Sequence, residues 1–201
     1  MTGLFSKAPS ETTKEKILRT AAEMFSERGY DRVTMREIAK GIGINSGSIY
    51  NHFASKEEIL TSLYSYYVLQ MEAECPVLAE LLSLAETDPP HEVLMKSGFY
   101  FKEDVREFLS QIIIIATRMI CSDPKSKRFI EESIFEPIHS ILKPLLAHMV
   151  AIGKIKPFDV DTFIKVFSYY AFSAAALNNT PFRQSVADYQ DGMSFLLSIV
   201  E

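Results

Sequence analysis

The sequence predicts an all-α protein with a small N-terminal three-helix head and a larger helical body. Three observations carry that expectation. Apolar residues recur at helical spacing along most of the chain, and no segment alternates with the period of a strand. Helix-start signatures, a Ser or Thr followed three residues later by Glu, stand at Thr12 and Glu15, Thr34 and Glu37, and Ser55 and Glu58. The first 60 residues hold nine Lys or Arg against eight Asp or Glu, whereas the remainder holds twelve against eighteen. A near-neutral head is therefore joined to an acidic body.

In the head, residues 1–10 carry Gly3, Pro9 and Ser10 and read as a loose arm. From Thr12, Ile17, Leu18, Ala21, Ala22 and Phe25 form one apolar stripe that stops at Gly29, a natural helix end. Thr34 caps a second helix whose short apolar face is Met35, Ile38 and Ala39. Gly43 supplies the turn, and Asn45 caps a third helix in which Ile49 and Phe53 pack inward. Ser46, Gly47, Ser48, Tyr50, Asn51 and His52 then face outward, a row of small or hydrogen-bonding groups. Two short helices joined by a tight turn, one with a packed side and an exposed polar side, are the shape that enters a DNA major groove.

Ser55 starts a long connector helix through Ile59, Leu60, Leu63, Tyr67 and Met71 to Pro76. A short helix over 76–85 is broken by Asp88, Pro89 and Pro90. The segment 104–122 reads as a central core helix with one narrow polar stripe, Asp104, Glu107, Gln111 and Arg118. The segment 137–152 repeats apolar residues at i, i+3, i+4 and i+7, with Pro144 placed to kink it and Gly153 to end it. Two helices close the chain, over 159–178 and 185–200; the first is apolar nearly all round and needs covering on more than one side, and the second carries one apolar face.

Composition narrows the functional classes. With 201 residues, 47% hydrophobic and 23% charged, the chain folds around a sizeable core. No apolar run approaches the roughly 20 residues that span a bilayer, and no secretion signal is evident. A cytoplasmic protein with no membrane partner is the expectation. Cys75 and Cys121 are expected as free thiols. A net charge of −5 argues against a general polyanion binder. His52, His91, His139 and His148 have no metal-site spacing, and His139 and His148 would point to opposite sides of one straight helix. There is no nucleophile elbow, phosphate loop or dinucleotide fingerprint, so neither an enzyme nor a cofactor is expected.

Over about residues 13–60 the chain resembles the TetR-type (TetR/AcrR) transcriptional regulators. The resemblance rests on Ile17, Ala21, Phe25, Gly29, Thr34, Ile38, Ala39, Gly43, Ile44, Gly47, Ile49, Tyr50, His52, Phe53, Lys56 and Leu60. It implies a helix-turn-helix DNA-binding domain over 1–54 and a helical ligand-binding and dimerisation domain over 55–201. It also implies a homodimer joined through the two closing helices, a double-stranded DNA operator with palindromic half-sites, and a small-molecule effector that releases a repressor. DNA contacts are expected from Thr34, Arg36, Ser46, Gly47, Ser48, Tyr50, Asn51, His52 and Lys56. One departure stands out: many members carry Lys or Arg where this chain has Ser46, and residues 45–53 contain neither. That leaves open a second reading, a helical small-molecule or protein-binding module without sequence-specific DNA readout. Tyr67, Met71, Phe99, Phe108, Met119, His139 and Tyr170 are candidate lining of a ligand chamber, or else ordinary core. The abundance of Phe, Tyr and Met fits an apolar or aromatic effector.

Overall fold

The computed structural model describes residues 12–74, 77–97, 103–177 and 198. Among them every regular element is helical, and no helix is long and apolar enough to cross a membrane. The chain packs as two compact units. One comprises the described residues of Met1–Ala73 and Lys102–Lys127, the other those of Glu74–Phe101 and Arg128–Glu201.

In the first unit, helix α1 (Thr13–Arg28) begins as its capping signature requires. The Glu15 amide donates to the Thr12 hydroxyl at 3.3 Å, and the Thr12 amide donates to the Glu15 carboxylate at 2.7 Å. Ile17, Leu18, Ala21, Ala22 and Phe25 are all buried. A 3₁₀ turn, Tyr30–Arg32, leads to α2 (Met35–Gly41), and a second 3₁₀ turn, Ser48–Asn51, leads to α3 (Lys56–Glu74). The α2–α1 contact is close: a Cβ at Gly41 would lie 2.9 Å from Thr20 Cγ2. Helix α6 (Glu103–Met119) packs against α1, and the Arg118 guanidinium donates to the Ser26 carbonyl at its end. Along the polar stripe of α6, Glu107 and Arg118 are exposed and Gln111 is half-buried, the Arg118 head being held by Ser26. Tyr66 on α3 meets Phe108 edge to face at 5.1 Å. Tyr64 shares a 2.7 Å hydrogen bond with the buried Ser126 hydroxyl, which donates to Asp123 at 2.5 Å. Burial pushes the Tyr64 phenol up to about 12, so it stays neutral.

The second unit contains α4 (Leu78–Thr87), α5 (Pro90–Ser97), α8 (Glu136–Ala151) and α9 (Val160–Leu177). Its core is Leu81, Ala85, Val93, Leu94, Leu142, Leu145, Leu146, Met149, Ile155, Phe163, Ile164 and Phe167. Helix α5 departs from the sequence expectation. Helix α4 ends at the Asp88 cap, as expected, but Pro90 also starts a further helix, because at the first helical position its missing N–H has no partner to lose. Helicity also precedes residue 137: α7 (Pro124–Ile130) runs into a π turn, Glu131–Phe135, and then into α8. In that turn the Glu136 amide reaches back five residues to the Glu131 carbonyl. The widened turn falls directly before Pro137, which has no amide to continue the regular ladder. Helix α8 ends through Gly153 at φ 74, with Lys154 donating to Met149 and Gly153 to Val150. Asp159 caps α9, its carboxylate accepting from the Thr162 amide at 3.1 Å. On α9, Val166 and Tyr169 are exposed while Phe163, Ile164 and Phe167 are buried. The closing helix expected over 185–200 and Cys75 lie outside the described residues, Ser198 excepted.

Candidate nucleic-acid interface

The site is built from α2, the turn that follows and the Ser48–Asn51 segment. Thr34 caps α2 in a complete box. Its hydroxyl accepts the Glu37 amide at 3.3 Å and donates to Glu37 Oε2 at 2.8 Å, while its own amide donates to the same oxygen at 2.9 Å. Arg28 adds a 2.5 Å hydrogen bond to Glu37 Oε1. The Thr34 hydroxyl proton is thus already used inside the chain, so the geometry fits its role as a cap better than a phosphate contact.

These bonds pull Glu37 down from 4.5 to about 2, the Arg28 hydrogen bond being the largest cause and Thr34 the next. Because the folded value lies below the ordinary one, the ionised carboxylate favours folding. That contribution is fully present above pH 4.5 and is lost as pH falls toward about 2. A Glu37→Gln variant is therefore expected to lose stability less steeply than wild type across this window in urea titrations. Parallel curves would rule the clamp out.

After α2 the chain reverses at Gly43. Its φ of 74 lies in the left-handed region, where a side chain is strained. Ile44 donates to the Ala39 carbonyl at 3.0 Å and Gly43 to Lys40 at 3.1 Å, closing the helix end. Asn45 then accepts the Gly47 amide on its side chain at 2.8 Å. The segment expected as a recognition α-helix is wound more tightly. Ser48 donates to Asn45, Tyr50 to Gly47 and His52 to Ile49, each three residues back, and Phe53 alone reaches four back to Ile49. A stretch this short, holding Ser46, Gly47 and Ser48, has too little intrinsic helicity to impose the wider winding by itself.

The two residues expected to pack inward are buried. Ile49 is 0% and Phe53 1% exposed. Tyr50 is 56% exposed, a large aromatic standing in solvent beside exposed Gly47 and Asn51. Ser46, Ser48 and His52 are half-buried, and Arg36 is exposed. Gly47 has ordinary helical dihedrals, and a Cβ there would meet only Asn45 Oδ1 at 3.5 Å. Nothing within the chain demands glycine at that position, whereas a surface pressed close on it would.

Lys56 finds its acceptors within the chain. Its ammonium donates to the Tyr30 carbonyl at 2.8 Å and the Val33 carbonyl at 2.9 Å, and lies 4.2 Å from the centre of the Tyr30 ring. A phosphate partner is not needed to explain this cation at the start of α3; a cradle in its own chain explains it. Sequence reading missed Tyr30, and the only signal was a lysine placed against a helix dipole. Lys14, whose ammonium sits 5.1 Å from the Phe53 ring centre, was missed as well.

The candidate effector residues separate. Tyr67 (buried), Phe108 (buried), Met71 and Met119 (both half-buried) belong to the first unit. Tyr170 is half-buried in the second. His139 is exposed, with Asp161 at 3.7 Å and Lys143 on the same carboxylate at 2.7 Å. It lies on a polar surface of its unit rather than in an apolar lining. Phe99 lies outside the described residues. No group of three or more His, Cys, Asp or Glu among the described residues is placed to hold a metal ion.

Fold and site together define an all-helical protein with an N-terminal helix-turn-helix. Residues 17–63 match the family described as bacterial regulatory proteins, tetR family. The chain is 36% identical over 108 residues to the uncharacterised HTH-type transcriptional regulator YerO of Bacillus subtilis, covering 53% of this chain and 36% of that protein. It is 56% identical over 48 residues to the HTH-type transcriptional repressor KstR2 of Mycobacterium tuberculosis, covering 24% of each. The matched stretches thus span about a third of the first relative and a quarter of the second. The solved structure of the M. tuberculosis ketosteroid transcriptional regulator KstR2 superposes over 95% of this chain and 96% of that one, with a TM-score of 0.68 at 22% identity. Residues 17–63 are thus similar to the tetR family of bacterial regulatory proteins, and the superposition on KstR2 shows a shared fold.

Proposed function

We propose that the protein is a DNA-binding transcriptional regulator, acting as a homodimeric repressor on a palindromic operator and released by a small apolar or aromatic molecule. Residues 1–54 read DNA, and residues 55–201 bind the effector and dimerise. The observation that carries this reading is the exposed row around Tyr50, held out by a buried Ile49 and Phe53. Arg36, Ser46, Gly47, Ser48, Asn51 and His52 join Tyr50 in contact with the duplex, phosphate contacts fixing register and base edges supplying specificity. The repressor assignment draws support from KstR2, the named repressor matched in the head. Dimerisation draws support from Val166 and Tyr169, apolar side chains exposed on a helix that buries Phe163, Ile164 and Phe167 on another face.

Effector and operator oppose each other through movement of α3, and each weakens the other by the same factor, typically about 1–3 kcal/mol. Native mass spectrometry of the purified protein is expected to show a dimer and any molecule held in it. Selection from random duplexes at low salt tests the central claim. An enriched palindrome with half-site centres about 34–36 Å apart is expected. The lack of Lys and Arg over residues 45–53 favours the second reading, a binding module without DNA readout. Selection that enriches no sequence would establish that reading and remove this one.

A further inference from the structure

We infer that Lys56 is a positioning residue for the DNA-reading segment, not a phosphate ligand; the inference rests on the DNA-reading proposal above. An ammonium has three protons to donate. Two go to the Tyr30 and Val33 carbonyls, and the Tyr30 ring lies beside the same charge. These acceptors sit in the link between α1 and α2, more than 20 residues before Lys56 in the chain. The lysine follows the reading segment directly, since α3 begins at Lys56 and Phe53 ends the preceding turn.

Lys56 therefore fastens the exit of the reading segment to the entry of α2. Val33 is itself fully buried and leads into the Thr34 cap. Tyr30 is held in turn by an edge-to-face contact with the buried Phe25 at 5.1 Å. One cation thus fixes the reading segment relative to the helix that supports it. Its effect on DNA is exerted through Tyr50 and its neighbours.

The two roles differ in how affinity responds to salt. Each phosphate neutralised contributes about −0.9 to the slope of log affinity against log salt, so a Lys56–phosphate contact in both subunits contributes about −1.8. Operator binding of wild type, Lys56→Met, Lys56→Arg and Tyr30→Leu is measured from 50 to 300 mM salt. Positioning predicts that Lys56→Met and Tyr30→Leu lose affinity at least about tenfold with the wild-type slope retained. It also predicts that Lys56→Arg loses affinity, because a planar guanidinium keeps the charge but does not fit a cradle shaped for an ammonium. A slope reduced by about 1.8 in Lys56→Met, with wild-type affinity in Lys56→Arg and Tyr30→Leu, would overturn the inference.

A second measurement does not depend on the variants folding. In wild type, the terminal methylene protons of Lys56 should show an upfield ring-current shift from Tyr30 that persists when operator is added. Loss of that shift on DNA binding would mean the lysine leaves its cradle for the duplex, and would sink the inference. If wild type selects no operator at all, the regulator reading itself fails. The shift in DNA-free protein still decides where the ammonium sits.

Discussion

Replacing Tyr50 with alanine is expected to lower operator affinity about a hundredfold and to leave the urea unfolding midpoint unchanged. The magnitude follows from two half-sites, each losing about 1.4 kcal/mol, a tenfold factor apiece. The neutrality toward folding follows from exposure: the side chain is 56% exposed, and nothing buried collapses when it is removed. Tyr50→Phe divides the effect. If the ring packs on sugar or thymine methyl groups, phenylalanine retains most of the affinity; if the hydroxyl bonds a phosphate or base, it does not. Fluorescence anisotropy on the selected duplex, paired with urea titration, reads both quantities. Full affinity in Tyr50→Ala would show that the outward row is not the reading surface.

The parts of this site that were legible in the sequence are local. Thr12 with Glu15 and Thr34 with Glu37 form complete capping boxes because the pattern specifies its own partners three residues apart. Ser55 and Glu58 follow it only in part: Ser55 accepts the Glu58 amide, but Glu58 reaches to the Ala54 amide, one residue before the expected one. The burial of Ile49 and Phe53 against the exposure of Tyr50 was readable from spacing alone. What escaped the sequence is tertiary or marginal. The tighter winding over Ser48–Asn51 is a small difference between two helical forms in a segment of weak propensity. Helix α5 was missed because Pro90 ends one helix and starts another with equal ease. The cradle of Lys56 joins carbonyls far back in the chain, and no local pattern announces a backbone carbonyl as a partner. His139 fits the apolar spacing of its helix poorly as a lining group, and it is Asp161, from α9, that marks its surface as polar.

The largest effect on folding is expected at Phe25, and it tests the support of the site rather than its contact surface. Phe25 is 0% exposed on the buried stripe of α1, and its ring meets Tyr30 edge to face. Phe25→Ala should destabilise the protein by about 3–5 kcal/mol, the usual cost of removing a buried aromatic and leaving a cavity. That is a large share of the roughly 5–15 kcal/mol that holds a typical domain folded. Phe25→Leu keeps most of the volume and should cost about 1.5 kcal/mol or less. The ring also steadies Tyr30, on which the Lys56 ammonium rests at 4.2 Å. Operator affinity of Phe25→Leu, measured where the protein remains fully folded, should therefore fall by more than its stability loss alone explains. Equal affinity in wild type and Phe25→Leu would mean that the Tyr30–Lys56 cradle tolerates a loosened base. The position of the reading segment would then be set by the packing of Ile49 and Phe53 alone.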